Sequence, residues 1–270
     1  MGEDSRLQVS TVERSGQARK ALLFVHGILG SGANLRGIAT QLVERDPTWA
    51  AVLVDLRGHG RSPRLGPPHT LAACAADLRA LETSLPYPVQ GIVGHSFGGK
   101  VALAYHRLKP DLVRLAILDS APFRRPERTG SEQTSAVLKM LADAPSQFAT
   151  REAFCRFVTG HGHTRAVAEW LAMNLRRTDD GVQLRTDLDQ INALLDDYFG
   201  EELWPILESS HAQTDIVIGG RSRVWGFAEI ERAQGLAGRS RGRLRVHVLP
   251  EADHWVHVDD PTGVVAALSR

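Results

Sequence analysis

The chain has 270 residues, of which 43% are hydrophobic and 23% are charged, and this balance excludes a disordered or collagen-like protein. Lys and Arg number 32 against 31 Asp and Glu, so the net charge of +1 gives no basic field for binding nucleic acid. Cys74 and Cys155 are too few for a disulfide framework, residues 1–10 lack a signal-peptide core, and no apolar run is long enough to span a bilayer, so we expect a cytoplasmic protein.

Short apolar runs predict the strands of a parallel sheet. Each run is nearly continuous in aliphatic residues, as expected of a strand covered on both faces, and is followed by turn residues. Residues 7–12 instead alternate apolar and polar side chains, which predicts an antiparallel edge strand. The buried strands are predicted at residues 21–25, 50–54, 89–93, 112–118, 215–218 and 244–249.

Helical stretches lie between these strands. Apolar residues recur there near i, i+3 and i+4, Thr70 is a suitable N-cap, and Pro261 suits the first turn of a helix. The repeated order of strand and helix predicts an α/β fold with a doubly wound, mostly parallel sheet. The helices are predicted at residues 34–44, 70–84, 98–108 and 261–268.

Residues 122–210 interrupt this alternation and contain no run typical of a buried strand. We interpret them as a helical lid inserted in one domain, whose core is residues 1–121 and 211–270. Residues 182–185 are a possible arm of a short hairpin. Helices are predicted at residues 136–142, 151–158, 164–176 and 188–198.

The most informative segment is Gly94-x-Ser96-x-Gly98, between a predicted strand and a predicted helix. A serine nucleophile must be held clear of a sheet on a tight strand-to-helix turn, where the residues two positions away must be small. The helix that follows directs backbone N–H groups toward developing negative charge. The pattern alone also fits an ordinary tight turn.

Four motifs in order resemble those of the α/β-hydrolase fold superfamily. They cover nearly the whole chain outside the insertion. They are His26-Gly27-Ile28-Leu29-Gly30, similar to the oxyanion loop; Asp55-x-Arg57-Gly58-His59-Gly60-x-Ser62, similar to a turn motif; Gly94-His95-Ser96-Phe97-Gly98-Gly99, similar to the nucleophile elbow; and Ala252-x-His254-Trp255, similar to the catalytic histidine loop.

Further segments resemble one branch of that superfamily, the small intracellular acyl-ester and acyl-CoA serine esterases of bacteria, which have mitochondrial relatives in animals. The segments are Gly30-Ser31-x-x-Asn34-Leu35, Gly99-Lys100 and Asp119-x-Ala121-Pro122.

The resemblance implies a role for each matching residue. Ser96 is expected to be the nucleophile and His254 the general base that takes its proton and later returns it to the leaving group. The backbone N–H groups of Phe97 and Ile28 are expected to form the oxyanion hole. The remaining residues of that loop, His26 and Gly27, are expected to position it.

A carboxylate is expected to complete a catalytic triad with Ser96 and His254. The position of this acid departs from the common family pattern. Many members place Asp after the penultimate strand, where this chain reads Gly219-Gly220-Arg221-Ser222, and Ser222 carries no charge. Asp119 is the best substitute, because it ends the strand after the elbow and keeps the order Ser, acid, His. Ser222 is then a possible auxiliary that hydrogen-bonds Asp119 or His254. Asp253 and Asp215 are poor alternatives.

Other histidines leave alternatives open. His257 follows His254 by three residues and is a possible replacement, whereas His95 is expected to point away from the nucleophile and to pack. His161 and His163 have no nearby carboxylate or cysteine, so no metal site is expected.

These residues predict a serine hydrolase that cleaves carboxylic esters or thioesters through an acyl-enzyme on Ser96, with no cofactor. The alternative is a non-hydrolytic protein of the same fold, a ligand receptor, lyase or cofactor-free peroxidase, because fold does not fix function. A remote alternative is a P-loop NTPase, since Gly94-x4-Gly99-Lys100 matches that loop, although Val101 stands where Ser or Thr should bind Mg²⁺.

The partner we expect is a small acyl ester or thioester of short to medium chain length. Apolar residues of the insertion either line an acyl pocket or form the insertion's own core. Arginines at its start either attract a coenzyme A phosphate or form a solvated loop. The apolar residues are Phe154, Trp170, Leu171, Met173 and Trp204, and the arginines are Arg124, Arg125 and Arg128.

Overall fold

A computed structural model describes residues 6–128, 130 and 132–269. Its strands are β1 (Val9–Val12), β2 (Lys20–Val25), β3 (Trp49–Val54), β4 (Val89–His95), β5 (Arg114–Leu118), β6 (Leu175–Thr178), β7 (Gly181–Leu184), β8 (Gln213–Gly219) and β9 (Leu244–Leu249). Seven of these strands agree with the predicted strand runs to within two residues at either end, β7 lies near the possible hairpin arm at residues 182–185, and β6 was not predicted.

Within the described residues, seven strands form one sheet in the order β1-β3-β2-β4-β5-β8-β9. β1 pairs with β3 antiparallel, as predicted for the edge strand, and the other neighbours pair in parallel. All six residues of β3 are buried, which explains why it is apolar throughout. Because these six strands are parallel, the carboxyl ends of β2, β3, β4, β5, β8 and β9 lie at one edge of the sheet.

Helices cover both faces of the sheet, so the predicted doubly wound α/β fold is confirmed. Apolar side chains of α2 and α3 pack on one face and those of α1 and α11 on the other. The Thr70 hydroxyl caps α2 by accepting the Ala73 N–H at 3.1 Å, and Pro261 begins α11. The helices are α1 (Arg36–Arg45), α2 (Leu71–Leu81), α3 (Phe97–Leu108), α9 (Phe227–Arg239), α10 (Val256–Asp259) and α11 (Pro261–Leu268).

Helix α9, which packs against β9, was not predicted from the sequence. Ala233 is buried in this helix, whereas Ile230 and Leu236 are only partly buried against the core. Gly235 and Gly238 lie within α9 and lower its intrinsic helix propensity, so packing on β9 stabilises the helix.

The chain between β5 and β8 is a helical insertion that also carries the β6–β7 hairpin. The helix predicted at residues 164–176 is wrong at its C-terminal end, since α6 ends at Leu171 and β6 begins at Leu175. The Asn174 amide donates to the Leu29 carbonyl at 2.6 Å, and this bond anchors the chain immediately before the first strand of the hairpin. The helices are α4 (Glu132–Ala142), α5 (Arg151–Gly160), α6 (Arg165–Leu171), α7 (Leu188–Gly200) and α8 (Trp204–Ser209).

Lys100 of α3 ties the insertion to the sheet domain. Its buried ammonium donates to the carbonyl oxygens of Tyr198 at 2.6 Å, Glu201 at 2.7 Å and Phe123 at 2.9 Å. Tyr198 and Glu201 lie at the C-terminal end of α7, where a cation is favourable. Because Lys100 is held by these carbonyls, it does not present its charge to a phosphate, and the P-loop interpretation is not supported.

We predict that Lys100→Met lowers the free energy of unfolding by about 3 kcal/mol, because it leaves buried carbonyl oxygens without their donor. Urea unfolding followed by circular dichroism measures the change. Lys139→Met, on the exposed side of α4, is the matched control and should change stability by no more than about 0.5 kcal/mol. Equal effects of the two variants would contradict this role of Lys100.

Candidate active site

Ser96 occupies a strained turn between β4 and α3. Its backbone angles, φ of 53° and ψ of −119°, lie outside the regions that residues other than glycine favour. Its N–H donates to the Leu118 carbonyl at 3.0 Å, which fixes the turn against β5. A Cβ at Gly94 would lie 2.1 Å from the Gly98 carbonyl oxygen, and one at Gly98 would lie 2.3 Å from that of Val25. The turn therefore requires glycine at both positions.

The Ser96 hydroxyl meets His254, which lies in the loop after β9. Its Oγ is 2.9 Å from His254 Nε2, and His254 Nδ1 is 2.7 Å from Asp119 Oδ2. The imidazole is 31% exposed and the carboxylate is fully buried. The three side chains thus form one hydrogen-bonded series that can move a proton from the hydroxyl to a ring stabilised by a buried negative charge.

Asp119 lies directly after β5 with a positive φ of 43°. Its backbone N–H donates to the Val217 carbonyl of β8 at 2.7 Å. Its carboxylate accepts the Gly219 N–H on Oδ1 at 3.1 Å and the Ser222 hydroxyl on Oδ2 at 2.5 Å, in addition to His254. Ser222 therefore contacts the carboxylate of Asp119.

The other carboxylates near this edge are engaged elsewhere. The Asp215 side chain is buried inside β8 and accepts from Arg245 Nε at 2.9 Å and from His247 Nε2 at 3.0 Å. Asp253 Oδ1 accepts the backbone N–H of His254 at 2.7 Å. Neither carboxylate forms the bond to the His254 ring that Asp119 forms.

His26 and Gly27 shape the loop after β2. His26 Nε2 accepts the Leu56 N–H at 3.1 Å, so the ring proton is on Nδ1, which donates to the Gly27 carbonyl at 2.7 Å. A Cβ at Gly27 would lie 3.3 Å from Ser96 Cβ, so glycine lets the loop approach the serine closely. Ile28 lines the same cavity as Ser96.

Phe97 is the first residue of α3, where backbone N–H groups have no acceptor within the helix. This position beside Ser96 is suited to stabilising an anionic oxygen.

A family model described as "Alpha/beta hydrolase family" matches residues 22–268. The chain belongs to the alpha/beta hydrolase family. It is 30% identical over 258 residues to the sn-1-specific diacylglycerol lipase ABHD11 of Danio rerio, an alignment that covers 92% of this chain and 76% of the relative. It is 29% identical over 250 residues to esterase YbfF of Escherichia coli strain K12, covering 92% and 91%.

Solved structures show the same fold for this alpha/beta hydrolase. A marine microorganism esterase superposes with a TM-score of 0.81 at 23% identity, covering 97% of this chain and 98% of the other. A thioesterase domain from the curacin biosynthetic pathway superposes with a TM-score of 0.66 at 20% identity, covering 97% and 98%. The relatives make this chain an alpha/beta hydrolase related to esterases and lipases.

The expected packing role of His95 is confirmed, and this residue also supports the histidine loop through a hydrogen bond. Its Nε2–H donates to the His254 carbonyl at 2.9 Å, and its ring centroid lies 5.1 Å from that of His254 and 4.4 Å from that of His257. His257 lies in α10 and contacts His95, whereas His254 is the histidine bonded to Ser96. The partners are 159 residues apart, so no local pattern predicts the contact.

Two cavities lie beside Ser96 and His254. A cavity of about 600 Å³ has His254 in its wall, and one of about 270 Å³ has Ser96 in its wall. Trp170 of α6 and Trp255 line both. The insertion therefore contributes to the walls of the site.

Of the apolar residues that the sequence offered for an acyl pocket, Trp170 lines these cavities. Phe154, Leu171 and Trp204 are buried in the apolar core. Met173 is 39% exposed and lines a different surface depression. Most of these side chains thus stabilise the insertion itself.

Arginines at the start of the insertion hold it in place. The Arg125 guanidinium donates to the Tyr198 hydroxyl at 3.2 Å and lies 5.3 Å from the Phe199 ring centroid. Arg128 pairs with Asp196, and the Arg124 N–H donates to Glu202 Oε2 at 3.2 Å. The side-chain contacts of Arg125 and Arg128 favour a structural role for these two residues over attraction of a coenzyme A phosphate.

In the described part of the chain, no group of three or more His, Cys, Asp or Glu side chains is arranged to hold a metal ion. His161 Nδ1 donates to the Phe157 carbonyl at 2.8 Å, and His163 lines the larger cavity. No helix over the same residues has the length and apolar character needed to cross a membrane.

Buried histidines surround the site in neutral form. Burial lowers the pKa of His26 to about 4, that of His257 to about 4, and that of His59, with a contribution from His26, to about 3. Burial and the neighbouring rings of His257 and His254 hold the pKa of His95 well below its usual range. Between these pKa values and the ordinary value of about 6.5, the unfolded chain binds protons that the folded chain does not.

We therefore predict that the free energy of unfolding decreases as the pH falls from about 6.5 toward 4. Each such histidine contributes up to about 1.4 kcal/mol per pH unit in that window. His59→Leu removes one of these titrating groups. The slope of the free energy of unfolding against pH should therefore decrease by up to about 1.4 kcal/mol per pH unit. Urea unfolding at several pH values measures the slope. Measurements near pH 8, where histidines are neutral in the unfolded chain as well, give the stability change that comes from altered packing alone. The same slope in both proteins would contradict the prediction.

Proposed function

We propose that the protein is a serine hydrolase that cleaves carboxylic esters or thioesters through an acyl-enzyme on Ser96. The observation that carries this proposal is the hydrogen-bonded series from Ser96 Oγ through His254 to the buried Asp119 carboxylate. Its relatives among esterases and lipases support the same reaction class.

The reaction begins with attack of Ser96 Oγ on the carbonyl carbon while His254 Nε2 takes the hydroxyl proton. The carbonyl oxygen becomes an oxyanion, which the N–H groups of Phe97 and Ile28 stabilise. Asp119 holds the imidazolium through Nδ1–H, and its other oxygen is fixed by the Gly219 N–H.

Collapse of the tetrahedral intermediate breaks the bond to the leaving group. His254 gives its proton to the departing oxygen or sulfur, and the acyl group stays on Ser96. Water activated by His254 then attacks the acyl-enzyme, releases the acid and restores the serine. None of these steps requires a cofactor.

We also propose that residues 122–210 act as a lid on a core formed by residues 1–121 and 211–270. Thr134 and Val137 of α4 and Val167 and Trp170 of α6 line the cavities on the side opposite the sheet. An apolar cover of this kind excludes water from the reacting carbonyl and strengthens the electrostatic stabilisation of the oxyanion.

The non-hydrolytic alternative gains weight from Ser222, which stands where many family members place the acid of the triad. The contact between Asp119 and His254 removes the need for an acid there, because Ser222 donates to the same carboxylate. This contact favours turnover over a receptor, lyase or peroxidase on the same fold.

We predict that Ser96→Ala lowers kcat by roughly 10³–10⁶-fold on p-nitrophenyl esters, tested from acetate to palmitate, because it removes the nucleophile. It should also abolish labelling by a fluorophosphonate probe. Ser120→Ala is a matched control, because Ser120 is also buried beside the elbow and its hydroxyl has no hydrogen-bond partner among the described residues. Activity near wild type in Ser96→Ala would sink the proposed mechanism.

We predict that Asp119→Asn lowers kcat by about 10²–10⁴-fold, because an amide carries no charge to stabilise the imidazolium and favours the wrong tautomer. Asp215→Asn breaks the buried pair with Arg245, so it should lower the melting temperature and leave kcat of the folded protein within about tenfold of wild type. Small, equal effects on kcat would reject Asp119 as the acid.

A further inference from the structure

The two cavities beside the site differ in which reacting residue lines them, since His254 lines one and Ser96 the other. This difference assigns a part of the substrate to each cavity. The leaving group must reach His254 Nε2 to receive its proton, and His254 lines the cavity of about 600 Å³. The acyl group remains on Ser96, which lines the cavity of about 270 Å³. If the reaction is the one proposed above, the larger cavity takes the leaving group.

Aromatic and acidic side chains share the wall of this larger cavity. The rings of Trp170 and Trp255 lie 5.2 Å apart between centroids and are tilted by 57°. Asp253 and Asp259 line the same cavity, and both residues are solvent-exposed. Among its described lining residues there is no Lys or Arg, and the remaining titratable side chains are His163 and His254.

The two carboxylates are oriented by backbone donors and carry no countercharge. Asp253 Oδ1 accepts the His254 N–H at 2.7 Å, and Asp259 Oδ2 accepts the Asp253 N–H at 2.9 Å. Neither lies within 4.0 Å of a positively charged nitrogen among residues 6–128, 130 and 132–269, whereas the neighbouring Glu251 pairs with Arg221. Negative charge in this wall is therefore left for a ligand to balance.

We propose that the larger cavity binds a leaving group that bears a positive charge, such as the alkylammonium alcohol of a choline-like ester. A tryptophan face attracts a cationic ammonium through its ring quadrupole, and two nearby carboxylates add Coulombic attraction. The same wall repels leaving groups that carry phosphate, such as coenzyme A. This assignment rests on the proposed serine hydrolase function and narrows its substrate class.

The test compares three oxoesters with the same acyl group. Butyrylcholine carries a positive charge, 3,3-dimethylbutyl butyrate has the same shape without charge, and 3-sulfopropyl butyrate is an anion. We expect kcat/KM to decrease in that order, at low ionic strength and about pH 8, where imidazole in water is neutral. The cationic ester should exceed the neutral ester by about tenfold.

The double variant Asp253→Asn, Asp259→Asn removes both charges and keeps the oxygens that accept the backbone N–H groups. It should lower the ratio of kcat/KM for butyrylcholine to that for the neutral ester by about fivefold or more. The ratio cancels differences in intrinsic ester reactivity and any general loss of activity. Glu251→Gln removes the charge of a neighbouring surface carboxylate that is absent from the cavity wall, and it should leave the ratio unchanged.

Two further measurements separate the contributions to this ratio. Adding about 0.5 M NaCl should lower the ratio in the wild type, because salt screens exposed carboxylates, and should have little effect on it in the double variant. Trp170→Leu should lower the ratio by about threefold through loss of the cation–π contact.

The outcomes distinguish this inference from the proposed function. If the neutral ester is hydrolysed in a Ser96-dependent manner but the ratio does not change in the double variant, the charge assignment is overturned and the hydrolase proposal stands. Faster turnover of the anionic ester than of butyrylcholine would also overturn it. If Ser96 supports hydrolysis of none of the three esters, the proposed function itself fails.

Discussion

The parallel pairing of β4, β5 and β8 is the constraint on which the site depends. In this register the Ser96 N–H bonds the Leu118 carbonyl, and the Asp119 N–H bonds the Val217 carbonyl. Each bond continues a strand ladder by one residue, so the serine and the carboxylate lie side by side at the carboxyl edge of the sheet. His254, from the loop after β9, needs only to reach across this edge to touch both.

Backbone strain is concentrated at the same edge. Leu29, Ser96 and Asp119 all have positive φ values, a conformation that residues other than glycine seldom adopt. Such strain persists only where surrounding contacts fix it, and here sheet ladders, glycine packing and the His26 hydrogen bonds do so. The energetic cost is consistent with a site whose donors are oriented before substrate arrives.

The insertion gives this common core its individual character. Lys100 holds the end of α7 close to α3, and the Asn174 amide bonds the Leu29 carbonyl of the loop beside Ser96. These contacts connect the insertion directly to α3 and to the loop beside Ser96. In addition, Trp170 of α6 lines both cavities.

Local patterns in the sequence determined the alternation of strands and helices and the strand-to-helix turn at Ser96, and the resemblance to the α/β-hydrolase superfamily indicated the histidine loop. Aliphatic runs, helical periodicity and the glycines around Ser96 act over a few residues, so they can be recognised without knowing the fold. The same reasoning failed for α9, in which two glycines lower the helix propensity, and for residues 175 and 176, which pair in a hairpin.

Only the tertiary structure decided which side chains meet. The sequence offered Asp119 as the best acid, but its distance to His254 depends on β5 lying between β4 and β8. The hydrogen bond from His95 to the His254 carbonyl and the Lys100 contacts with α7 join residues about a hundred or more positions apart. Contacts of this kind arise from strand order and from the packing of an insertion on a sheet, and a local sequence pattern carries no record of either.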